Sequence, residues 1–234
     1  MNCAIIPARG GSKRIPRKNV REFCGRPMIE WSIRTAIDSG LFSRIIVSTD
    51  DPEISEAALK AGAEVPFVRP PEISDDTTPT IQVIRHALDW LESENAVPEF
   101  VCCLYATAPF LRPAFLQKSL EQLRSDSETA FLVSATEYAF PIFRALKTDP
   151  EGRVSMFWPE HNLTRSQDLP PAFHDAGQFY WGTPTAFREH EGFFNAPCRL
   201  FLLPPHRVLD IDSPQDWEKA EIAFEIMNRL PADD

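Results

Sequence analysis

The chain has 234 residues, 43% hydrophobic and 25% charged, an ordinary make-up for a globular protein long enough to bury one large core. A formal charge of −10 argues against a general nucleic-acid binder, which needs a broad basic face. No run approaches the roughly 18 to 20 apolar residues of a membrane span, and MNCAIIPARGG lacks the basic flank and apolar length of a secretory leader. Neither a nucleic acid nor a membrane is therefore expected as a partner. The cysteines (Cys3, Cys24, Cys102, Cys103, Cys198) are odd in number and form no C-x-x-C. Reduced, buried thiols and a cytoplasmic location are expected.

Short apolar runs alternate with helical periods. CAIIPA (3–8) reads as a buried strand. Pro27 opens a helix on which Ile29, Ile33, Ala36 and Ile37 repeat at helical spacing, and Gly40 stops it. RIIVST (44–49) is a second strand; Asp51 then caps, Pro52 starts and Gly62 ends the next helix. EVPFV (64–68) reads as a third, shorter strand. Thr78 and Pro79 open a helix with Ile81, Ile84, Leu88 and Leu91 on one face. FVCCLYA (100–106) is a strand, Pro113 begins a helix bearing Leu116, Leu120 and Leu123, and AFLVSA (130–135) is the next strand. Strands apolar on both faces and alternating with helices predict an α/β fold: a doubly wound, mostly parallel sheet with helices on both faces.

The rhythm breaks after Thr136. Residues 137–182 are rich in Pro, Phe and His without a helical period, and loops of that length are usually functional. They read as a protruding lid or arm of a single domain spanning 1–234. QFYW (178–181) and RLFLL (199–203) return as strands. Ser213 and Pro214 start a final helix with Trp217, Ala220, Phe224 and Met227 on one face, and the tail PADD is expected to fray.

Two clusters carry chemistry. IIPARGGSKRIPRKN (5–19) leaves the first strand, and between Arg9 and Arg21 the chain carries six basic side chains and no acid. In a doubly wound sheet, ligands bind at the carboxyl ends of the strands. Gly10 and Gly11 would let backbone amides approach an anion that the cations neutralise. Neither G-x-x-x-x-G-K-[ST] nor G-x-G-x-x-G is present, which argues against an ATPase P-loop and a dinucleotide site. A phosphate-binding loop is the preferred reading; a solvated basic connection is the other. In LDIDSPQDW (209–217), Asp210 and Asp212 flank Ile211, and residues two apart in an extended segment point to one side. They suit one Mg²⁺, which takes one or two carboxylates plus substrate phosphates. By itself the pattern equally allows Asp212 or Ser213 to cap the last helix. Loop and acid pair together suggest a nucleotide with Mg²⁺, and phosphoryl or nucleotidyl transfer.

The first motif resembles that of the acylneuraminate cytidylyltransferase family, enzymes that make CMP-activated nonulosonic acids. GRPMIEWSI (25–33), VSTDD (47–51), VRPPEISDDTTPT (68–80), YATAPFL (105–111) and LDIDSPQDW follow in family order, so the resemblance spans nearly the whole chain. TRSQDLPPAFHDAGQFYWG (164–182) is most similar to the members that act on pseudaminic acid. The resemblance implies a nucleotide-diphospho-sugar transferase-like fold and a homodimer formed with help from the arm. It also implies attack by the sugar's anomeric hydroxyl on the α-phosphorus of CTP, with loss of pyrophosphate.

Arg9, Ser12, Lys13, Lys18 and Asn19 match positions that hold the nucleotide, as does Arg69, while Thr78 and Thr80 fall near the base. Asp210 and Asp212 match the Mg²⁺ ligands. Arg9, Lys18 and Asp212 are expected to act on the reacting phosphate. In the sugar-facing tract, Arg165, Gln167, His174, Asp175 and Gln178 are candidates to read the acid's carboxylate and N-acyl groups. His174 and Asp175 otherwise form an ordinary turn, and Phe173, Phe179, Tyr180 and Trp181 read as core or dimer interface before sugar platform. A Ser-His-Asp hydrolase is disfavoured, since no G-x-S-x-G elbow exists. Two positions depart from the pattern: Tyr105 stands where sialic acid enzymes commonly have glutamine, and Arg14 where many relatives have glycine. The alternatives are a sialic acid, legionaminic acid or Kdo synthetase and, in another class, a module that only senses CTP.

Overall fold

The computed structural model describes residues 1–227; the expected fraying of PADD lies outside the described residues. The strands are β1 (Asn2–Pro7), β2 (Glu22–Phe23), β3 (Arg26–Pro27), β4 (Phe42–Ser48), β5 (Phe100–Leu104), β6 (Phe131–Glu137), β7 (Leu146–Thr148), β8 (Val154–Met156), β9 (Phe173–Gly182) and β10 (Cys198–Leu202). The helices are α1 (Met28–Ser39), α2 (Pro52–Ala61), α3 (Thr80–Ser93), α4 (Pro113–Arg124), α5 (Pro184–Glu189) and α6 (Pro214–Met227). Six strands form the main sheet in the order β10-β6-β9-β5-β1-β4. All are mutually parallel except β9, which runs antiparallel between β5 and β6.

The period of two along each strand divides the core. Ala4 and Ile6 of β1 and Cys102 and Leu104 of β5 face α1, α2 and α4, together with Phe179 and Trp181 of β9. Cys3 and Ile5, Val101 and Cys103, and Tyr180 face α3 and α5 on the other side. Cys3, Cys102 and Cys103 are thus core thiols, and burial pushes the Cys3 thiol up to about 12. A third cluster unites Ile15, Phe23, Phe110, Ile211, Trp217 and Phe224. Ile15 lies amid the opening loop's cations and Ile211 between the two aspartates; they are 0% and 2% exposed. Burying each isoleucine contributes about 1.5–3 kcal/mol, enough to pin both loops to the start of α6.

The expected helix signals are in place. Asp51 accepts hydrogen bonds from the amides of Glu53 and Ile54 at the start of α2, and Gly40 and Gly62 end α1 and α2 in left-handed conformations (φ 66° and 97°). Other expectations need correction. Residues 64–68 form no strand, only isolated bridges from Glu64 to Ile46 and from Val68 to Thr49; Pro66 supplies no amide to a ladder. The chain re-enters the sheet at Phe173 rather than at 178, so the excursion expected over 137–182 is confined to 138–172, with the β7–β8 hairpin inside it. The β2–β3 hairpin turns through Cys24 and Gly25, both at positive φ (48° and 84°).

Candidate active site

The opening loop is braced from behind by the β4–α2 turn. The Gly10 amide donates to Asp50 Oδ1 at 3.0 Å, and Arg17 donates to Asp51 at 2.6 Å. Asn19 Nδ2 closes the loop onto the Arg9 carbonyl at 3.0 Å. This revises the role expected for Gly10, because its amide is committed to Asp50 instead of facing an anion. Glycine is required there for close approach: a Cβ would stand 2.6 Å from Asp51 Oδ2. Nothing lies within 4 Å of a Cβ at Gly11.

Arg9, Ser12, Lys13, Arg14, Lys18 and Asn19 line a cavity of about 440 Å³ together with Asp76, Tyr105, Thr107 and Asp212. Arg9 and Lys13 both pair with Asp76, while Arg14 and Lys18 approach Asp212 at 2.7 and 3.4 Å. Four cations facing two carboxylates leave this wall positive, as a polyphosphate requires. The other two basic residues turn away: Arg17 pairs with Asp51 and Glu53, and Arg21 lies over the Trp217 ring.

A second cavity of about 220 Å³ shares Arg9, Asp76 and Tyr105 with the first and adds Arg69, Asp75, Thr78 and Thr80. Arg69 is 4% exposed; burial pulls its pKa down, one guanidinium nitrogen donates to the Ser48 carbonyl at 2.9 Å, and its Nε is buried without a partner. Such a donor is costly unless something accepts it. Asp75 folds the turn before α3, accepting from the Thr78 amide at 2.7 Å and hydroxyl at 2.8 Å, with further bonds from Thr77. These bonds, the Thr78 hydroxyl foremost, hold its carboxyl down at about 2. The Thr80 hydroxyl meets the Tyr105 phenol at 3.1 Å. Both threonines therefore reach the cavity with their hydroxyls already partnered.

The last helix is capped by Ser213, not Asp212. Ser213 Oγ accepts from the Asp216 amide at 3.2 Å, and Asp216 accepts from the Ser213 amide at 2.9 Å, a reciprocal cap. Asp212 is thereby left to face Lys18 and Arg14. Burial, then the like charge of Asp212, raises the pKa of Asp210. Two carboxylates in that condition fit a divalent cation. No group of three or more acidic, His or Cys side chains that could hold a metal occurs among the described residues. A cation at this pair would take its remaining oxygens from substrate, in keeping with Mg²⁺.

A third cavity, about 300 Å³, is lined by Thr107, His174, Asp175, Gln178 and Asp210. It joins three of the five expected sugar residues to Asp210, while Asp212 lines the first, cation-walled cavity. The Gln178 side-chain nitrogen donates to the Arg207 carbonyl at 2.7 Å. Arg165 and Gln167 are not brought to this cavity. The Arg165 guanidinium is held by Asp168 at 2.6 and 3.1 Å, and Gln167 lines a separate hollow of about 420 Å³ with Tyr138, Phe140 and Leu169. Phe179, Tyr180 and Trp181 are core residues. Sequence reasoning passed over Asp76, although SDDTTPT offers the only paired acids directly before α3 and the opposing loop offers only cations.

The profile of the cytidylyltransferase family matches residues 3–211. A pseudaminic acid cytidylyltransferase of Campylobacter jejuni subsp. jejuni serotype O:2 is 46% identical over 225 residues, 96% of this chain and 97% of that one. A CMP-N,N'-diacetyllegionaminic acid synthase of Legionella pneumophila subsp. pneumophila is 30% identical over 95% of this chain and 96% of its own. Among solved structures, a CMP:2-keto-3-deoxy-manno-octonic acid synthetase complexed with CTP shares the fold, with a TM-score of 0.71 over 97% of this chain and 99% of that one at 18% identity. The profile runs from β1 through the basic loop to the first aspartate of the pair, and the chain belongs to the cytidylyltransferase family.

Proposed function

We propose that this cytidylyltransferase transfers CMP from CTP to the anomeric hydroxyl of a nonulosonic acid, pseudaminic acid, and releases pyrophosphate. One observation carries the reading: Asp212 lines the cation-walled cavity, Asp210, two residues before it, lines the cavity of His174, Asp175 and Gln178, and Thr107 borders both. A nucleotide on one side and a polar acceptor on the other would react between them. The identity to a pseudaminic acid cytidylyltransferase supports the choice of acid.

In the reaction, the anomeric O–H gives up its proton to solvent, a bond forms from that oxygen to the α-phosphorus, and the bond from the α-phosphorus to the oxygen bridging to the β-phosphate breaks, that oxygen leaving with pyrophosphate. Arg9, Lys13, Arg14 and Lys18 line the phosphate wall and neutralise the charge that gathers on the departing pyrophosphate. Lys18, closest of the lysines to Asp212, serves the α-phosphate. Arg69, Thr78 and Thr80 border the cavity assigned to the cytidine. Asp210 and Asp212 would hold Mg²⁺, which when bound lowers the pKa of the attacking hydroxyl and offsets phosphate charge.

The excursion exposes Phe140 (83%), Leu163 (93%), Leu146 and Val154, an apolar surface that supports packing on a second copy of the chain. Arg165 and Gln167 stand off from this chain's own acceptor cavity, so a sugar contact by either would be made across such a homodimer. A cytoplasmic site of action suits the nucleotide substrate; no helix among the described residues is long and apolar enough to cross a membrane. The test is product formation from CTP and Mg²⁺ with pseudaminic, legionaminic and N-acetylneuraminic acids and Kdo. Preferred turnover of pseudaminic acid is expected. Preference for another acid would reassign the acceptor, and CTP binding without turnover of any acid would leave only a sensing module.

A further inference from the structure

Strand β9 breaks its ladder beside the acceptor cavity. Two steps along β6, from Val133 to Ala135, are matched by five along β9, from Tyr180 to Asp175. Gly177 takes a left-handed conformation at φ 59°, and Ser134 Oγ accepts the displaced amides of Gln178 and Phe179 at 3.3 and 3.0 Å. A regular strand would carry residues five apart to opposite faces, about 16 Å away from one another. The bulge instead folds Asp175 back onto Tyr180. The Tyr180 phenol donates to Asp175 Oδ2 at 2.5 Å, and the Gly177 amide donates to Oδ1 at 2.8 Å. Bulges that re-aim a side chain recur next to active sites.

Tyr180 cannot move away from this duty. It is 3% exposed, its ring is stacked on Phe193 at 4.2 Å, and its edge meets Tyr105 at 5.5 Å. Burial raises the pKa of both phenols, that of Tyr105 to about 12, so each remains protonated at neutral pH. The Tyr180 proton goes to Asp175, and Tyr105 continues the line to Thr80 at the nucleotide side. Asp175 itself is exposed and lines the acceptor cavity with Asp210. An ionised carboxylate has about four lone-pair sites, and the two bonds above leave the others available. It accepts hydrogen bonds only, so it suits a hydroxyl or amide N–H of the sugar and repels the sugar's own carboxylate.

We propose that Tyr180 is a positioning residue that aims Asp175 at a hydroxyl or acylamido N–H of the acceptor sugar, which makes this phenol–carboxylate pair a determinant of acceptor recognition. The proposal rests on the cytidylyltransferase reading of the site given above. It is tested by steady-state kinetics of Tyr180→Phe, Asp175→Asn and the double variant, with the acid that the wild type prefers among pseudaminic, legionaminic and N-acetylneuraminic acids and Kdo. Tyr180→Phe is expected to raise KM for the acid about tenfold, as for a lost charge-assisted hydrogen bond, with KM for CTP within twofold of wild type. Asp175→Asn should raise the acid KM at least as much, and the double variant should be no worse than Asp175→Asn alone. Melting temperatures of all three are recorded on the same preparations. An acid KM within twofold of wild type in Tyr180→Phe would overturn the proposal. So would losses that multiply in the double variant, or a CTP KM that rises in step. Wild-type preference for another acid corrects the acceptor assignment and leaves these comparisons decisive with that acid; no turnover of any acid overturns both.

Discussion

Asp212→Asn separates chemistry from architecture at the acid pair. The substitution keeps the side chain's size and one carbonyl oxygen and removes a negative charge. Its stability cost is that of two ion pairs, to Arg14 and Lys18, at a carboxylate about one-third exposed (32%). Pairs of that kind contribute about 0.2–1 kcal/mol. In a chain of this size 1 kcal/mol moves the melting temperature by about 2–4 °C, so the two pairs together, about 2 kcal/mol at most, set a fall of no more than about 4–8 °C. The helix cap stays intact, because Ser213 and Asp216 make it. Turnover is another matter. A cation held less tightly beside the reacting phosphate costs on the order of a hundredfold or more in kcat, and raising Mg²⁺ should restore it only in part. CTP binding by calorimetry should stay near normal, since Arg9 and Lys13 are untouched. Ser213→Ala is the control: it removes the cap, costs about 1 kcal/mol, and should leave turnover per folded enzyme unchanged. If Asp212→Asn turns over within threefold of wild type while Ser213→Ala does not, the acid pair has been misassigned.

Lys18→Ala should lower kcat about a hundredfold with little change in melting temperature, measured by pyrophosphate release and calorimetry. Gly10→Ala forces a methyl to within 2.6 Å of Asp51 Oδ2; a destabilisation of about 1–3 kcal/mol in urea is expected, with weaker CTP binding as the loop shifts. Asp76→Asn frees Arg9 and Lys13 from a carboxylate that competes with phosphate for them. Its Kd for CTP should tighten by a factor of about two to five, most clearly at low ionic strength.

Local signals were legible where one physical effect dominated. The all-apolar CAIIPA and FVCCLYA announced strands buried on both faces, and Asp51-Pro52 with Gly62 bracketed α2 as expected. The basic loop and the acid pair were found separately, and the burial of Ile15 and Ile211 in one cluster explains why they meet. What escaped depends on long-range pairing. Apolar character at 64–68 could not outweigh Pro66, which breaks the ladder. The reversal of β9 between two parallel strands leaves no trace in periodicity, because a strand buried on both faces looks alike in either direction. The bulge at Gly177 was hidden as well: His174 and Asp175 read as sugar-site candidates with an ordinary turn as the competing reading, and the contact of Asp175 with Tyr180 had no local signature. Whether Asp212 or Ser213 capped α6 could be settled only by geometry, since both precede Pro214 with the right chemistry.

In the proposed mechanism the sugar's anomeric oxygen attacks phosphorus in a site holding both substrates. The most direct measurement uses CTP, Mg²⁺ and pseudaminic acid labelled with ¹⁸O at the anomeric hydroxyl, with products weighed by mass spectrometry. That mechanism predicts a CMP-sugar that retains the label in its bridging oxygen, unlabelled pyrophosphate in equal amount, and neither product when the sugar is left out. Label lost from the CMP-sugar, or pyrophosphate released from CTP alone at the same rate, would contradict it.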